Sequence, residues 1–228
     1  MYLERYHSET GSRIARITGE DFDIFRRFLV QLLGHMGVKG VWTVMQQPKL
    51  ETERLVLRPF TLDDAPHVQR LAGDRDIAST TGDIPYPYED GVAEDWIRSH
   101  RERFRSGEAV NYAIVIRGNN TLIGAIGLLI NQRHETAEMG YWIGKPYWSN
   151  GYCTEAARAL LEYGFRDLGL NRLYANYFIR NPASGRVLEK IGMSYEGCLR
   201  QHMKKWGVFE DVNVYSILRS EYKGIKAD

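Results

Sequence analysis

Gly140-Tyr-Trp-Ile-Gly-Lys-Pro-Tyr-Trp-Ser-Asn-Gly-Tyr-Cys-Thr-Glu-Ala156 is the stretch on which the reading of this chain turns. Its first residues close an alternating run, Thr136 to Ile143, that reads as a strand. Gly144 to Cys153 is a loop of small, polar and turn-forming residues, and Thr154 then opens a helix in which Ala156, Ala157, Leu160, Leu161, Gly164 and Phe165 share one face. A loop feeding a helix start leaves several backbone N–H groups unpaired beside the positive end of the helix dipole, and such a place binds phosphate. The segment lacks the Gly-Lys-Ser/Thr ending of an NTPase P-loop and the three-glycine dinucleotide fingerprint, which argues against nucleotide hydrolysis and hydride transfer.

Working outward, the period is two over Asn111 to Arg117 and Leu122 to Ile130, joined at Gly118-Asn119-Asn120, so with Thr136 to Ile143 three consecutive strands are expected. Upstream, Arg54 to Arg58 alternates as a half-buried strand that Pro59 helps to end. Leu62 to Ala72 and Tyr88 to Phe104 carry helical spacing, with a turn-rich loop, Gly82 to Tyr88, between them. Downstream, Gly169 stops the helix begun at Thr154. Leu173 to Ile179 is a strand, and Pro182 to Ile191 is a helix closed by Gly192. Tyr195 to Lys204 and Phe209 to Leu218 form a hairpin turned at Trp206-Gly207. The order is strand, two helices, three strands, helix, strand, helix, two strands, a single mixed α+β domain over about residues 50–220 with a short tail, 221–228.

Residues 1–49 read differently, as an extension. Phe22, Phe25, Leu29, Leu32 and Leu33 recur at helical spacing behind Thr18 and Asp21, which predicts a short amphipathic helix over about 21–33, followed by the glycine-punctuated stretch Gly34 to Gly40. Two readings stand: a loosely attached segment, with Met45 as the natural start, or a docking helix for a partner or a homodimer. The chain has 228 residues and 30 Lys and Arg against 29 Asp and Glu, a net charge of +1 that disfavours a nucleic-acid-coating protein. Cys153 and Cys198 are too few for a disulfide framework and no Cys/His spacing ligates a metal, so a cytoplasmic protein is expected. No apolar run long enough for a signal peptide or membrane span is present.

The strand-loop-helix segment, with Asn181-Pro-Ala-Ser184 and Leu188-Glu-Lys-Ile-Gly-Met193 after it and Leu50-Glu-Thr-Glu-Arg-Leu-Val-Leu-Arg-Pro-Phe60 before it, resembles the GNAT N-acetyltransferases, specifically their RimJ/RimL-like members. The resemblance spans about residues 50–218. It implies a GNAT-type fold: a central, mostly antiparallel twisted sheet of about seven strands flanked by about four helices, with a splayed strand pair that holds acyl-CoA. It implies acetyl-CoA as co-substrate, no metal, and direct transfer to a primary amine in a ternary complex. The pyrophosphate would rest on the amides of Trp148, Ser149, Asn150, Gly151, Tyr152, Cys153 and Thr154, and the pantetheine would run beside Tyr141, Trp142 and Ile143. Asn181 would bond the pantetheine, Arg186 would lie near the CoA, and strand amides near Tyr141 would hold the thioester oxyanion.

The chain departs from the wider superfamily at Trp148, where Gln or Arg is usual, at Cys153, where Gly or Ala is usual, and at Leu188, where many members place a tyrosine that protonates the CoA thiolate. Ser184, one helical turn before Leu188, is the first candidate for that acid, ahead of Tyr177; its alternative role is local backbone bonding at a helix start. For the general base, Glu138 shares a strand face with Gly140 and Trp142, and His134 begins the same strand; Glu138 is the stronger candidate, against a plain ion-pairing role. Cys153 at a helix start invites a nucleophilic reading, but a small-residue packing role fits better. On the acceptor side, Pro85, Tyr86 and Tyr88 would form an aromatic wall opposite a hairpin carrying His202 and Asp211, with Asp83 or Glu210 as further attractors of a cationic amine. At pH 7, freeing an α-amine of its proton costs about 1 kcal/mol against about 4.6 kcal/mol for a lysine-type amine, so a protein N-terminus is the cheaper acceptor. An antibiotic- or polyamine-detoxifying acetylase and a non-catalytic acyl-CoA-binding regulatory module are the alternatives.

Overall fold

A computed structural model describes residues 46–224. Its strands are β1 (Leu50–Glu51), β2 (Leu55–Arg58), β3 (Ala109–Ile116), β4 (Leu122–Asn131), β5 (Thr136–Ile143), β6 (Arg172–Phe178), β7 (Ser194–Lys205) and β8 (Val208–Leu218). They form one sheet in the order β1-β2-β3-β4-β5-β6-β8-β7. All neighbours are antiparallel except β5 and β6, which run parallel and pair only from Thr136 opposite Arg172 to Glu138 opposite Tyr174. Past that point β5 continues to Ile143 against β4 alone, and the sheet opens. β4 is central because its residues are buried from Leu122 to Leu128, on both faces.

The helices are α1 (Ala65–Ala72), α2 (Arg75–Thr80), α3 (Val92–Arg105), α4 (Tyr152–Arg166) and α5 (Pro182–Lys190). One face of the sheet packs Tyr112, Ile126, Leu128 and Met139 against Leu160 and Leu161 of α4 and Leu188 of α5. The other packs Ala113 and Val115 against Val68 and Leu71 of α1 and Ala93 and Ile97 of α3. Alternation along the strands sends successive side chains to these two cores. Among the described residues no helix is long and apolar enough to cross a membrane.

The mixed α+β architecture and its element order agree with expectation, with eight strands rather than about seven and five helices rather than about four. The added strand is β1, a two-residue edge with too little sequence to show a period. The added helix is α2, six residues started by Asp74, whose carboxylate accepts from the Asp76 amide at 2.8 Å; one and a half turns are too short for an amphipathic repeat. Helix α3 begins at Val92 rather than at Tyr88, after Gly91 at φ 87°, and α4 begins at Tyr152, two residues before Thr154. The amphipathic segment 21–33 and the proposed start at Met45 lie outside the described residues, as do residues 225–228 of the tail.

Candidate active site

Three devices prepare the N-terminus of α4. Gly151, the residue before the helix, is left-handed at φ 76°, a conformation that an L side chain strains to adopt. The first helical bond runs from the Glu155 amide to Gly151 O, 3.1 Å, so the amides of Tyr152, Cys153 and Thr154 stand ahead of the ladder. Asn150 braces the loop from inside, donating to Trp148 O at 2.9 Å and Tyr147 O at 3.2 Å. Arg54 reaches from the β1–β2 turn to Asn150 O, 3.0 Å, and pairs with Glu155 at 2.7 Å. Burial raises Glu155, but hydrogen bonds from Thr52 and from the Arg54 amide and guanidinium outweigh it and hold the carboxyl below its usual range. Its negative charge is therefore matched, and the helix dipole is left to act on an incoming anion.

The open edge of β5 supplies the second surface. Gly144 N donates to Ile123 O of the β4 side at 2.8 Å. Alternation then points the backbone groups of Trp142 and Gly140 toward β4 and those of Met139, Tyr141 and Ile143 into the gap beside β6. The Trp148 indole donates to Ile143 O at 2.6 Å, which ties the loop to the strand end, and beyond the last pair with β6, Glu138 opposite Tyr174, the N–H groups of Tyr141 and Ile143 face the gap.

The loop, the open edge and the face under α1 and α3 share one cavity of about 950 Å³. Its lining includes Glu138, Tyr141, Trp142, Ile143, Trp148, Ser149, Gly151, Tyr152, Cys153, Thr154, Asn181, Ser184 and Arg186, and on the acceptor side Pro85 and Tyr88. Asn150 is not in the lining, and its side-chain amide serves the loop. Tyr86, His202 and Asp211, expected on the acceptor wall, are not among the residues that line the cavity. Tyr86 turns outward onto Trp206, ring centroids 5.6 Å apart. Asp211 accepts from the Gln201 amide at 2.7 Å where β7 shifts its register with β8 between Leu199 and Met203, and His202 is exposed in that irregular stretch of the strand.

The two candidate catalytic residues lie on different sides of the β5 edge. Glu138 is gripped by the Asn176 side chain at 2.6 Å and approached by Tyr174 OH at 3.5 Å, both from β6. Ser184, in the first turn of α5, shares a 2.8 Å hydrogen bond with Tyr141 OH, which also lies 3.2 Å from Ser184 O. Burial pushes the Tyr141 hydroxyl well above the usual phenol range, so it remains protonated and acts as a donor. Burial likewise pushes the Cys153 thiol up to about 12, which leaves no thiolate at neutral pH and fits a packing role. Leu188 is fully buried in the α4 core. Sequence reading missed Asn176 and the Tyr141 hydroxyl. Asn176 stands two residues from Tyr174 on one strand face, a legible polar signal, whereas Tyr141 and Ser184 are 43 residues apart and meet only through folding.

A family model described as an acetyltransferase (GNAT) domain matches residues 54–194. The uncharacterized N-acetyltransferase YoaA of Bacillus subtilis (strain 168) is 35% identical over 173 residues, 75% of this chain and 97% of that protein. Two relatives carry substrate names. The spermidine N(1)-acetyltransferase of Vibrio cholerae serotype O1 is 26% identical over 74% of this chain and 95% of its own. The ribosomal-protein-serine acetyltransferase of Escherichia coli (strain K12) is 32% identical over 42% of this chain and 54% of its own. Among solved structures, a GNAT-family acetyltransferase from Bacillus anthracis superposes with a TM-score of 0.67 at 29% identity, over 76% of this chain and all of that one. Family model, relatives and architecture agree: the chain belongs to the GNAT family of N-acetyltransferases.

Proposed function

We propose that this acetyltransferase moves the acetyl group of acetyl-CoA to the α-amine of a protein N-terminus, a reaction of RimJ/RimL type. The observation that carries the acceptor choice is the charge of the cavity. Among the described residues lining it, the acidic side chains are Asp83 and Glu138, against Arg103, Arg186 and Lys190. A polyamine carries several cations and calls for several carboxylates, while a single α-amine needs one. The pyrophosphate fits the amides of Tyr152 to Thr154, with Arg186 and Lys190 as cationic neighbours. The pantetheine fits the free N–H groups of β5, one of which, near Tyr141, receives the thioester oxygen as negative charge develops there.

In this reading Glu138 takes the amine proton, directly or through water, and the nitrogen attacks the thioester carbon. The C–S bond then breaks, the Ser184–Tyr141 hydroxyl pair donates a proton to the departing sulfur and regains one from solvent, and Glu138 releases the amine proton to water. No covalent enzyme intermediate is required. A thiol-release assay with acetyl-CoA tests the reading against peptides with free N-termini, the same peptides blocked at the α-amine but carrying a free lysine, spermidine and an aminoglycoside. Turnover confined to free α-amines is expected. Turnover of spermidine or the aminoglycoside alone, or acetyl-CoA binding without any turnover, overturns it.

A further inference from the structure

Arg103 is a cation without a counterion among the described residues. It lies in the last turn of α3, is half-buried, and lines the cavity. No carboxylate pairs with it among the described residues, and the same holds for Arg186 at the phosphate end of the cavity. Its titratable neighbour on the helix, His100, is no counterion: burial, then the charge of Arg103, lower its pKa to about 4, so it is neutral at pH 7. Arg105, in the same turn, is exposed and free to complement the helix dipole, so that duty does not require Arg103 to face inward. A half-buried guanidinium that faces a cavity with no anion beside it is placed to pair with one that a ligand supplies.

What faces Arg103 is the acceptor half of the cavity. Ala109, Leu129 and Glu138 form one cross-strand row, and Asn111, Gly127 and Gly140 form the next. All six line the cavity on the α3 side of the sheet. A Cβ built on Gly140 meets nothing within 4 Å, so the floor beside Glu138 is open. Two strand spacings separate Ala109, at the Arg103 end, from Glu138, about 10 Å. An extended N-terminal residue and its side chain bridge such a span, with the amine at Glu138 and an anion at the guanidinium.

Resting on the proposed α-amine acceptor, we propose that the enzyme selects N-termini with an aspartate or glutamate among their first two residues, and that Arg103 is the residue that reads the carboxylate. A planar guanidinium suits a carboxylate by bidentate hydrogen bonding, which the isosteric amides of Asn and Gln do not reproduce.

The test compares kcat/KM for matched peptides that differ only by Asp against Asn, or Glu against Gln, in wild type, Arg103→Gln and Arg103→Lys, with acetyl-CoA affinity measured by calorimetry. The wild type should favour the acidic peptide about tenfold or more, as a desolvated charged hydrogen bond gives. Arg103→Gln should bring the acidic and amide peptides to equal rates, Arg103→Lys should retain part of the preference, and acetyl-CoA affinity should stay at the wild-type value. Equal wild-type rates overturn the proposal whatever the variants do, while N-terminal acetylation itself still stands. An acid preference that survives in a properly acetyl-CoA-binding Arg103→Gln overturns the role of Arg103. Turnover of spermidine alone overturns this inference and the α-amine reading together.

Discussion

At the scale of the residue, the proposed mechanism gives the place of the superfamily tyrosine, absent at Leu188, to a hydroxyl pair that the fold assembles from two elements. Leu188 is fully buried and offers no proton, whereas Ser184 and Tyr141 meet at 2.8 Å on the cavity wall. Burial keeps the Tyr141 hydroxyl protonated, so it does not act as a base and serves as a hydrogen-bond donor to the pair. Ser184→Ala and Tyr141→Phe should each lower kcat by roughly ten- to a hundredfold, at or below the low end for a general acid because a thiolate leaves readily. The acetyl-CoA KM should stay within about twofold. The double variant should be little slower than either single one, since two members of one relay do not add. Strictly multiplicative losses in steady-state kinetics would place the two hydroxyls in separate roles.

At the scale of the element, the acceptor loop is held in place from across the cavity. Lys205, at the end of β7, is buried and donates to Ile84 O at 2.7 Å and Gly82 O at 3.2 Å. Burial lowers its pKa, Asp83 partly opposes this, and no carboxylate takes its proton directly. Arg180, beyond β6, pairs with Glu210 and donates to Ser79 O, and Lys145 pairs with Asp76, so helix α2 is tied to the same rim. Lys205 is thus a positioning residue: it fixes the segment that carries Pro85 and Tyr88 over the cavity. Lys205→Met should raise the KM of the amine about tenfold through the loss of two charge-assisted bonds and leave the acetyl-CoA KM unchanged, with partial rescue by Lys205→Arg. Equal rises in both Michaelis constants would mark a general loss of fold instead.

At the scale of the whole molecule, the sheet is deliberately incomplete. The parallel contact between β5 and β6 stops after Glu138, and the backbone groups that further pairing would have consumed line a cavity of about 950 Å³. A ligand that fills the gap completes the sheet, so folding and binding are linked. Acetyl-CoA at a hundred times its Kd should stabilise the protein by about 2.7 kcal/mol. For a domain of this size that is a rise of about 5–10 °C in Tm by scanning calorimetry. Desulfo-CoA should give a comparable rise, because the pyrophosphate and pantetheine contacts are retained. No shift with either ligand would remove the splay as the binding surface.

The sequence by itself determined the strand and helix order from Arg54 onward, because periods of two and of three to four residues are local properties that survive without tertiary context. It also placed a loop and then a helix start behind β5, although it set that start at Thr154, two residues late. Elements below the length of a period, β1 and α2, were not legible. The tertiary structure alone decided the partners: that Asn150 braces its own loop, that Asp211 holds an irregular stretch of β7 while His202 is exposed there, that Tyr141 finds Ser184 across 43 residues, and that Arg103 faces the cavity with no carboxylate partner among the described residues. Local pattern fixes which face of an element a side chain takes, but which group it meets there depends on contacts between distant segments, and those exist only once the chain is folded.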